Sequence, residues 1–365
     1  MAFNKVNHGT FVKALAILNP GVVLPTAREL AISLLDSSYG ALKLVMVHRV
    51  KGKKCTLATD AWTDVNGKSV INYVLICGED TYLLETVYTG STSHSAAFLA
   101  ADIKRVITAA LFTTIVTDNT TANQLVWQTL QPECPQIFFH GCISHVIHLV
   151  VKDLVSMLPW LKVLKENCRK LVRFFKKHQQ LWAELRHLQL LEGKNTLVLP
   201  ADTRWGTIEK CLASVLDSED IIHAFVSSRD FLKEKTKEQK AKRRMAFDIV
   251  RAKNCIPQLR RAISILDVLS RFQKLFERNT RPVSDVYKMF LDLPDTFREI
   301  SMPIAELGII ASVLRERFDF VCGDAHGVAY LLDPRYTGKD MDQATREGVE
   351  DFIAKWNGTG NEDAG

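Results

Sequence analysis

The apolar residues of this chain change their period at Lys53 and again near Trp160, and these two changes fix the order of its secondary structure. Before Lys53 the spacing predicts two amphipathic helices, roughly Phe11 to Leu18 and Thr26 to Leu35. They are separated by the turn signals Asn19-Pro20-Gly21 and Leu24-Pro25. From Lys53 the period shortens. CTLATDAW is a short apolar run, SVINYVLICG is β-branched and aromatic, and TYLLETVYTG alternates after Gly78-Glu79-Asp80. These predict three successive strands in an antiparallel meander. A helix follows over 93–111 with Ser93 as its cap, then the strand FTTIVTDN, a helix from Ala122 to Leu130, the short strand QIFFHG, and a helix through CISHVIHLVVKDLVSML. Beyond Trp160 apolar residues recur three and four apart almost without interruption, so the remainder reads as helix.

That order fits an α/β fold of the ribonuclease H type: a mixed sheet of three antiparallel strands plus two parallel ones, followed by a large all-helical domain. The expected organisation is a helical lead-in over 1–50, a ribonuclease H-like core over 51–158, an all-helical insertion-type domain over 159–356, and a disordered tail over 357–365. With 47% hydrophobic and 24% charged residues in 365, the chain has ample material for two cores, which excludes long disorder and a disulfide-stapled miniprotein. The longest uncharged apolar run, Val106 to Val116, falls short of the roughly 18 to 20 residues of a membrane span. The N-terminus MAFNKVNHGTFVK has no apolar signal region, so neither secretion nor a membrane partner is expected. Eight cysteines without a C-x-x-C pair point to a reducing compartment.

Charge is unevenly placed. Residues 151–260 hold 23 Lys and Arg against 13 Asp and Glu, a local excess of +10 in a chain whose total is +6. The rest therefore sums to −4. A basic segment attracts polyanions, which makes nucleic acid a reasonable partner, and solvated helices of mixed charge have the same composition.

Two acids stand at strand ends, Asp60 and Asp118, 58 positions apart. In this strand order the first and fourth strands are neighbours, so the fold is expected to bring both carboxylates to one sheet edge. Oxygen ligands of this kind suit Mg²⁺, and paired ions can activate a water or a 3′-hydroxyl in phosphoryl transfer. An aspartate that caps the turn after its strand looks the same in sequence. The block HGCISHVIH places His140, Cys142, His145 and His148 within nine residues. One helix seldom offers more than two ligands to a tetrahedral ion, so a zinc site is not the expected use of this block.

The runs TLATDAWTDVNGKSVINYVLI, IVTDNTTANQLVW, IFFHGCISHVIHLVVKDL, LPADTRWGTIEKCL and AYLLDPRYTGKDM, in this order, resemble the hAT (hobo and Activator) transposase superfamily, in particular its domain-of-unknown-function branch. The lead-in FVKALAILNPGVVLPTARELAISLLDSSY is similar as well, so the likeness covers nearly the whole chain. It implies a DNA-binding, ribonuclease H-like protein related to metal-dependent DNA strand cleavage and transfer, with Mg²⁺ or Mn²⁺ as cofactor, DNA as partner and the nucleus as location. Carried over by position, Asp60 and Asp118 match two catalytic, metal-holding acids. Cys142 and His145 match the C-x-x-H motif beside them, and Arg204 and Trp205 match an R-W motif whose ring is suited to stack on a base. Ala61, Asp64 and His148 depart from the residues usual at their positions, and none of these changes removes a carboxylate.

The family's zinc-binding BED finger is not in the sequence. Its third acid, a Glu in an E-R-x-F/W-S motif downstream of LLDPRY, is not there either. The resemblance therefore implies an incomplete catalytic triad and weak or no cleavage. The alternative is a non-enzymatic DNA-binding or protein-interaction factor that reuses the scaffold. Monomer and homo-oligomer both stay open.

Overall fold

The computed structural model describes residues 3–90, 92, 94–108, 112–200, 206–228, 231–233, 236–277 and 281–358. Two compact units emerge, residues 1–116 with 125–139, and residues 117–124 with 140–365.

In the first unit, α1 (Gly9–Leu18) is followed by a helical run made of α2 (Ala27–Glu29), a π-helical stretch Leu30–Leu34 and α3 (Leu35–Val50). Thr26 and Glu29 form a reciprocal capping box at its start, each side chain bonded to the other's backbone N–H. The helix does not stop at Leu35, where Asp36, Ser37 and Ser38 interrupt the apolar period. It continues to Val50, because no proline or left-handed residue intervenes to end it. By length and composition Ala27–Val50 is sufficient to cross a membrane: an 18-residue stretch within it has a mean hydropathy of 1.4, and none of that stretch is buried. Counting only uncharged runs overlooked this segment, since Asp36 and Lys43 divide it.

The sheet contains β1 (Cys55–Thr63), β2 (Ser69–Cys77), β3 (Asp80–Gly90), β4 (Phe112–Thr117) and β5 (Phe138–Gly141), in the order β3-β2-β1-β4-β5. β1 with β2 and β2 with β3 are antiparallel, whereas β4 runs parallel to β1. The mixed α/β sheet expected from the sequence is thus present, followed by helices. Alternate residues of β2 supply the core: Ile71, Tyr73 and Leu75 are at most 1% exposed. Burying an aliphatic side chain of this kind contributes about 1.5–3 kcal/mol. Tyr73 is also fixed by its hydroxyl, which donates to Asp102 Oδ2 at 2.6 Å. Asp102 lies on α4 (Ala96–Ile107), which buries Leu99, Ile103 and Val106. The cap of α4 is Ser95, whose Oγ accepts from Phe98 N–H at 3.3 Å; Ser93 lies outside the described residues. α5 (Thr121–Leu130) links β4 to β5.

The second unit is built on α6 (Ile143–Met157) and α7 (Pro159–Lys177). Val146, Ile147, Val150, Val151 and Leu154 of α6 and Leu161, Leu164, Cys168, Leu171 and Phe175 of α7 belong to one continuous core. The opposite side of α7 exposes Lys162, Lys170, Arg173, Lys176 and Lys177. Further helices complete the unit, the last running from Gln343 to Gly358. Of the expected tail, residues 359–365 lie outside the described residues.

Candidate active site

Asp60 lies within β1, not at its end. Its register partner on β2 is Asn72, and the β1–β2 ladder continues to Thr63↔Ser69. The parallel ladder with β4 is shorter and finishes at Ala58↔Val116. Asp60 therefore follows the point where one neighbour is lost while the other is still paired, and its residue is exposed.

Asp118 belongs to the second unit and directly follows β4. Its Oδ1 accepts three hydrogen bonds: from Thr120 N–H at 3.2 Å, Thr120 Oγ1 at 2.9 Å and Asn123 Nδ2 at 2.6 Å. The side chain is therefore oriented from one oxygen, as in an Asx turn. Thr117, only 1% exposed, donates its hydroxyl to the Asp118 carbonyl at 2.7 Å.

The next residue ties this segment to the start of α6. Asn119 is 7% exposed and its Nδ2 donates to the Cys142 carbonyl at 2.9 Å, while Cys142 N–H donates to the Thr117 carbonyl at 2.7 Å. Gly141 permits the approach. A Cβ built there would stand 1.5 Å from Asn119 Oδ1, so no larger residue fits without displacing the amide. The second aspartate, the C-x-x-H cysteine and the glycine before it are thus brought together.

Cys142 caps α6 through its backbone only. His145 and His148 stack one turn apart, ring centroids 5.9 Å apart and planes 14° from parallel. Burial, with His145 and Lys152 close by, holds the His148 imidazole below its ordinary pKa. His140 turns elsewhere and meets His326 edge to face at 5.2 Å. Arg204 and Trp205 lie outside the described residues. Among the described residues no group of three or more His, Cys, Asp or Glu is arranged to hold a metal ion.

Asn119, Thr120, Asn123 and Gly141 support Asp118 and were not singled out in the sequence. The run D-N-T-T-A-N carries a local signal, since short polar side chains after an Asp commonly close such turns. Gly141 carries none, because its partner is 22 positions away. The LLDPRY segment has a structural job of its own. Arg335 spans Asp333 Oδ2 and Asp285 Oδ1, both at 2.7 Å, Ser284 Oγ donates to Asp333 Oδ2 at 2.6 Å, and Tyr336 OH donates to Asp285 Oδ1 at 2.9 Å. These bonds hold Asp333 well below the usual carboxylate range, Arg335 being the largest cause and Ser284 the next.

Residues 25–171 match the model of a family described as Domain of unknown function (DUF659), a span that includes Asp60, Asp118, Cys142 and His145. No protein with a curated description matches the chain.

Proposed function

We propose that this chain is a hAT transposase-derived, DNA-binding protein whose ribonuclease H-like core is related to metal-dependent DNA strand cleavage and transfer. The observation that carries this reading is the β1–β4 register. The parallel ladder ends at Ala58↔Val116, and an aspartate follows two positions later in each segment, Asp60 and Asp118. Supporting it, the family matched over 25–171 is associated with hAT-like, transposase-related proteins.

Asp60 and Asp118 fit the oxygen-only preference of Mg²⁺ or Mn²⁺, and the three donors gathered on Asp118 Oδ1 set that carboxylate in one orientation. A bound divalent ion would supply a Lewis acid and an activated water or hydroxyl for phosphodiester chemistry. The chain's own residues do the positioning: Thr120 and Asn123 fix the carboxylate, and Asn119 with Gly141 anchors the segment that bears it. Arg204 and Trp205 would contact the DNA, the indole by stacking, with Cys142 and His145 beside the acids. The resemblance to hAT transposases supports a nuclear location, with the protein a monomer or homo-oligomer.

A second reading, a non-enzymatic DNA-binding or protein-interaction factor, is favoured by the excess of +10 over residues 151–260. One experiment tests both. Supercoiled plasmid is incubated with the protein and Mn²⁺, and duplex binding is titrated against salt in parallel. The proposal expects salt-sensitive binding and slow nicking that disappears in Asp60→Ala and in Asp118→Ala. Binding with no nicking leaves the second reading, and absence of binding at low salt refutes the proposal and the DNA-binding form of the second reading.

A further inference from the structure

Cys55 opens β1 and Cys77 closes β2. The pair Thr56↔Ile76 is in register, so one step outward in this antiparallel ladder sets Cys55 opposite Cys77. Both belong to the first unit and both are buried on the same face, at 2% and 8% exposure, continuing the alternation of Leu57, Tyr73 and Leu75. Cys55 Sγ lies 3.6 Å from the Lys53 carbonyl.

Opposed residues in an antiparallel pair have Cα atoms about 4.5–5.5 Å apart, inside the range of about 4.4–6.8 Å that disulfides span. Closing the bond therefore needs a side-chain adjustment and no change of register. The other described cysteines are all free as well, and none of them stands opposite another across the sheet ladder.

We infer that Cys55 and Cys77 form an oxidation-sensitive dithiol, a modification site that converts reversibly to a cross-strand disulfide on reaction with a small disulfide such as oxidised glutathione. The order of events follows from access. Burial pushes the Cys55 thiol up to about 11, so little of it is thiolate near neutrality. Cys77 is the more exposed residue of the two and precedes the exposed turn at Gly78-Glu79. Cys77 loses its proton to solvent and its thiolate attacks one sulfur of oxidised glutathione, forming a mixed disulfide and releasing one glutathione thiolate. The Cys55 thiol then loses its proton and attacks the Cys77 sulfur, closing the Cys55–Cys77 bond and expelling the second glutathione. In balance, two protein thiols and one oxidised glutathione give one protein disulfide and two reduced glutathiones.

The test uses the full chain under native conditions, incubated with oxidised glutathione, blocked with an alkylating agent and mapped by mass spectrometry without reduction. The expected result is a linked peptide pair containing Cys55 and Cys77, lost on treatment with dithiothreitol. Cys55→Ser should accumulate a glutathione adduct on Cys77 and form no link, whereas Cys77→Ser should leave Cys55 unmodified. The inference is overturned if Cys55 and Cys77 remain alkylatable after oxidation, if either links to another cysteine, or if Cys55 gains the adduct first. The wild-type map decides the question even where a serine variant fails to fold. Failure here leaves the DNA-directed reading untouched, because no step depends on Asp60 or Asp118.

Discussion

Gly141→Ala is a small substitution with a calculable consequence. Gly141 is not among the glycines with positive φ, so an alanine there suffers no backbone penalty and any loss comes from contact alone. The added carbon would lie 1.5 Å from Asn119 Oδ1 and 2.5 Å from its Cγ, well inside van der Waals distance. Asn119 is 7% exposed and cannot simply swing into water. Either its side chain leaves the Cys142 carbonyl, or the backbone at 141 moves. Overpacking of this kind costs about 1–3 kcal/mol, and losing a buried hydrogen bond adds about 1 kcal/mol, so the expected loss is about 2–4 kcal/mol.

Asn119→Ala alone should be mild. Its Oδ1 has no partner, and the Cys142 carbonyl still accepts from Val146 N–H at 3.1 Å, so the loss is about 1 kcal/mol. In the double variant the clash has no partner. Urea unfolding of the four proteins should therefore show the Gly141→Ala cost falling to below about 1 kcal/mol in the Asn119→Ala background, a coupling well beyond the limit of about 0.5 kcal/mol for independent sites. Additive losses would mean that the two residues do not meet, and the account of how the Asp118 segment is anchored would fail with them.

Three further outcomes follow from particular contacts. His326 is 2% exposed, its Nδ1 has no partner, and burial first and His140 second hold its pKa down to about 3. A histidine kept neutral in the fold contributes stability that is complete above the unfolded value of about 6.5 and drains as pH falls toward 3. The loss should be about 2 kcal/mol by pH 5, and His326→Phe should flatten that slope in denaturant titrations. Arg335→Ala should lower the thermal midpoint by severing the Asp333–Asp285 bridge. Arg335→Lys should restore only a minor part, since an ammonium cannot span both carboxylates; full recovery in thermal unfolding would refute the geometry. Tyr73→Phe should cost about 1–2 kcal/mol, because the fully buried ring remains packed while its bond to Asp102 is lost; an unchanged midpoint would count against that bond.

The strands were legible because β-branched and aromatic runs of period two are written locally: each of the five predicted strands is present, with β1 carried one residue past Trp62 to Thr63. What a strand end means was less legible. Asp60 reads as terminal because a charged side chain interrupts the apolar run, yet the hairpin with β2 continues to Thr63, and only the ladder with β4 stops before it. The helix after Thr26 outran its apolar pattern because Ser37, Ser38 and Gly40 weaken periodicity without blocking helical backbone. Gly141 facing Asn119 and Arg335 facing Asp285 are contacts 22 and 50 residues apart, and no local pattern encodes them.

The DNA contact that both readings share is tested on α7. Its buried stripe, Leu161, Leu164, Cys168, Leu171 and Phe175, fixes which side faces outward, and that side presents Lys170, Arg173 and Lys177 at helical spacing. If this face binds phosphates, each contact releases counterions and contributes about 0.9 to the slope of log affinity against log salt. Replacing all three with alanine should lower the slope by about 2–3 and weaken binding without regard to DNA sequence, while the fold persists because none of the three is buried. Asp60→Ala removes a negative charge, so it should leave the slope unchanged or raise affinity slightly, whatever it does to nicking. A triple variant with an unaltered slope would move the DNA contact off α7. If the same variant abolished nicking with the slope intact, the basic face would serve the acids directly and not the DNA backbone.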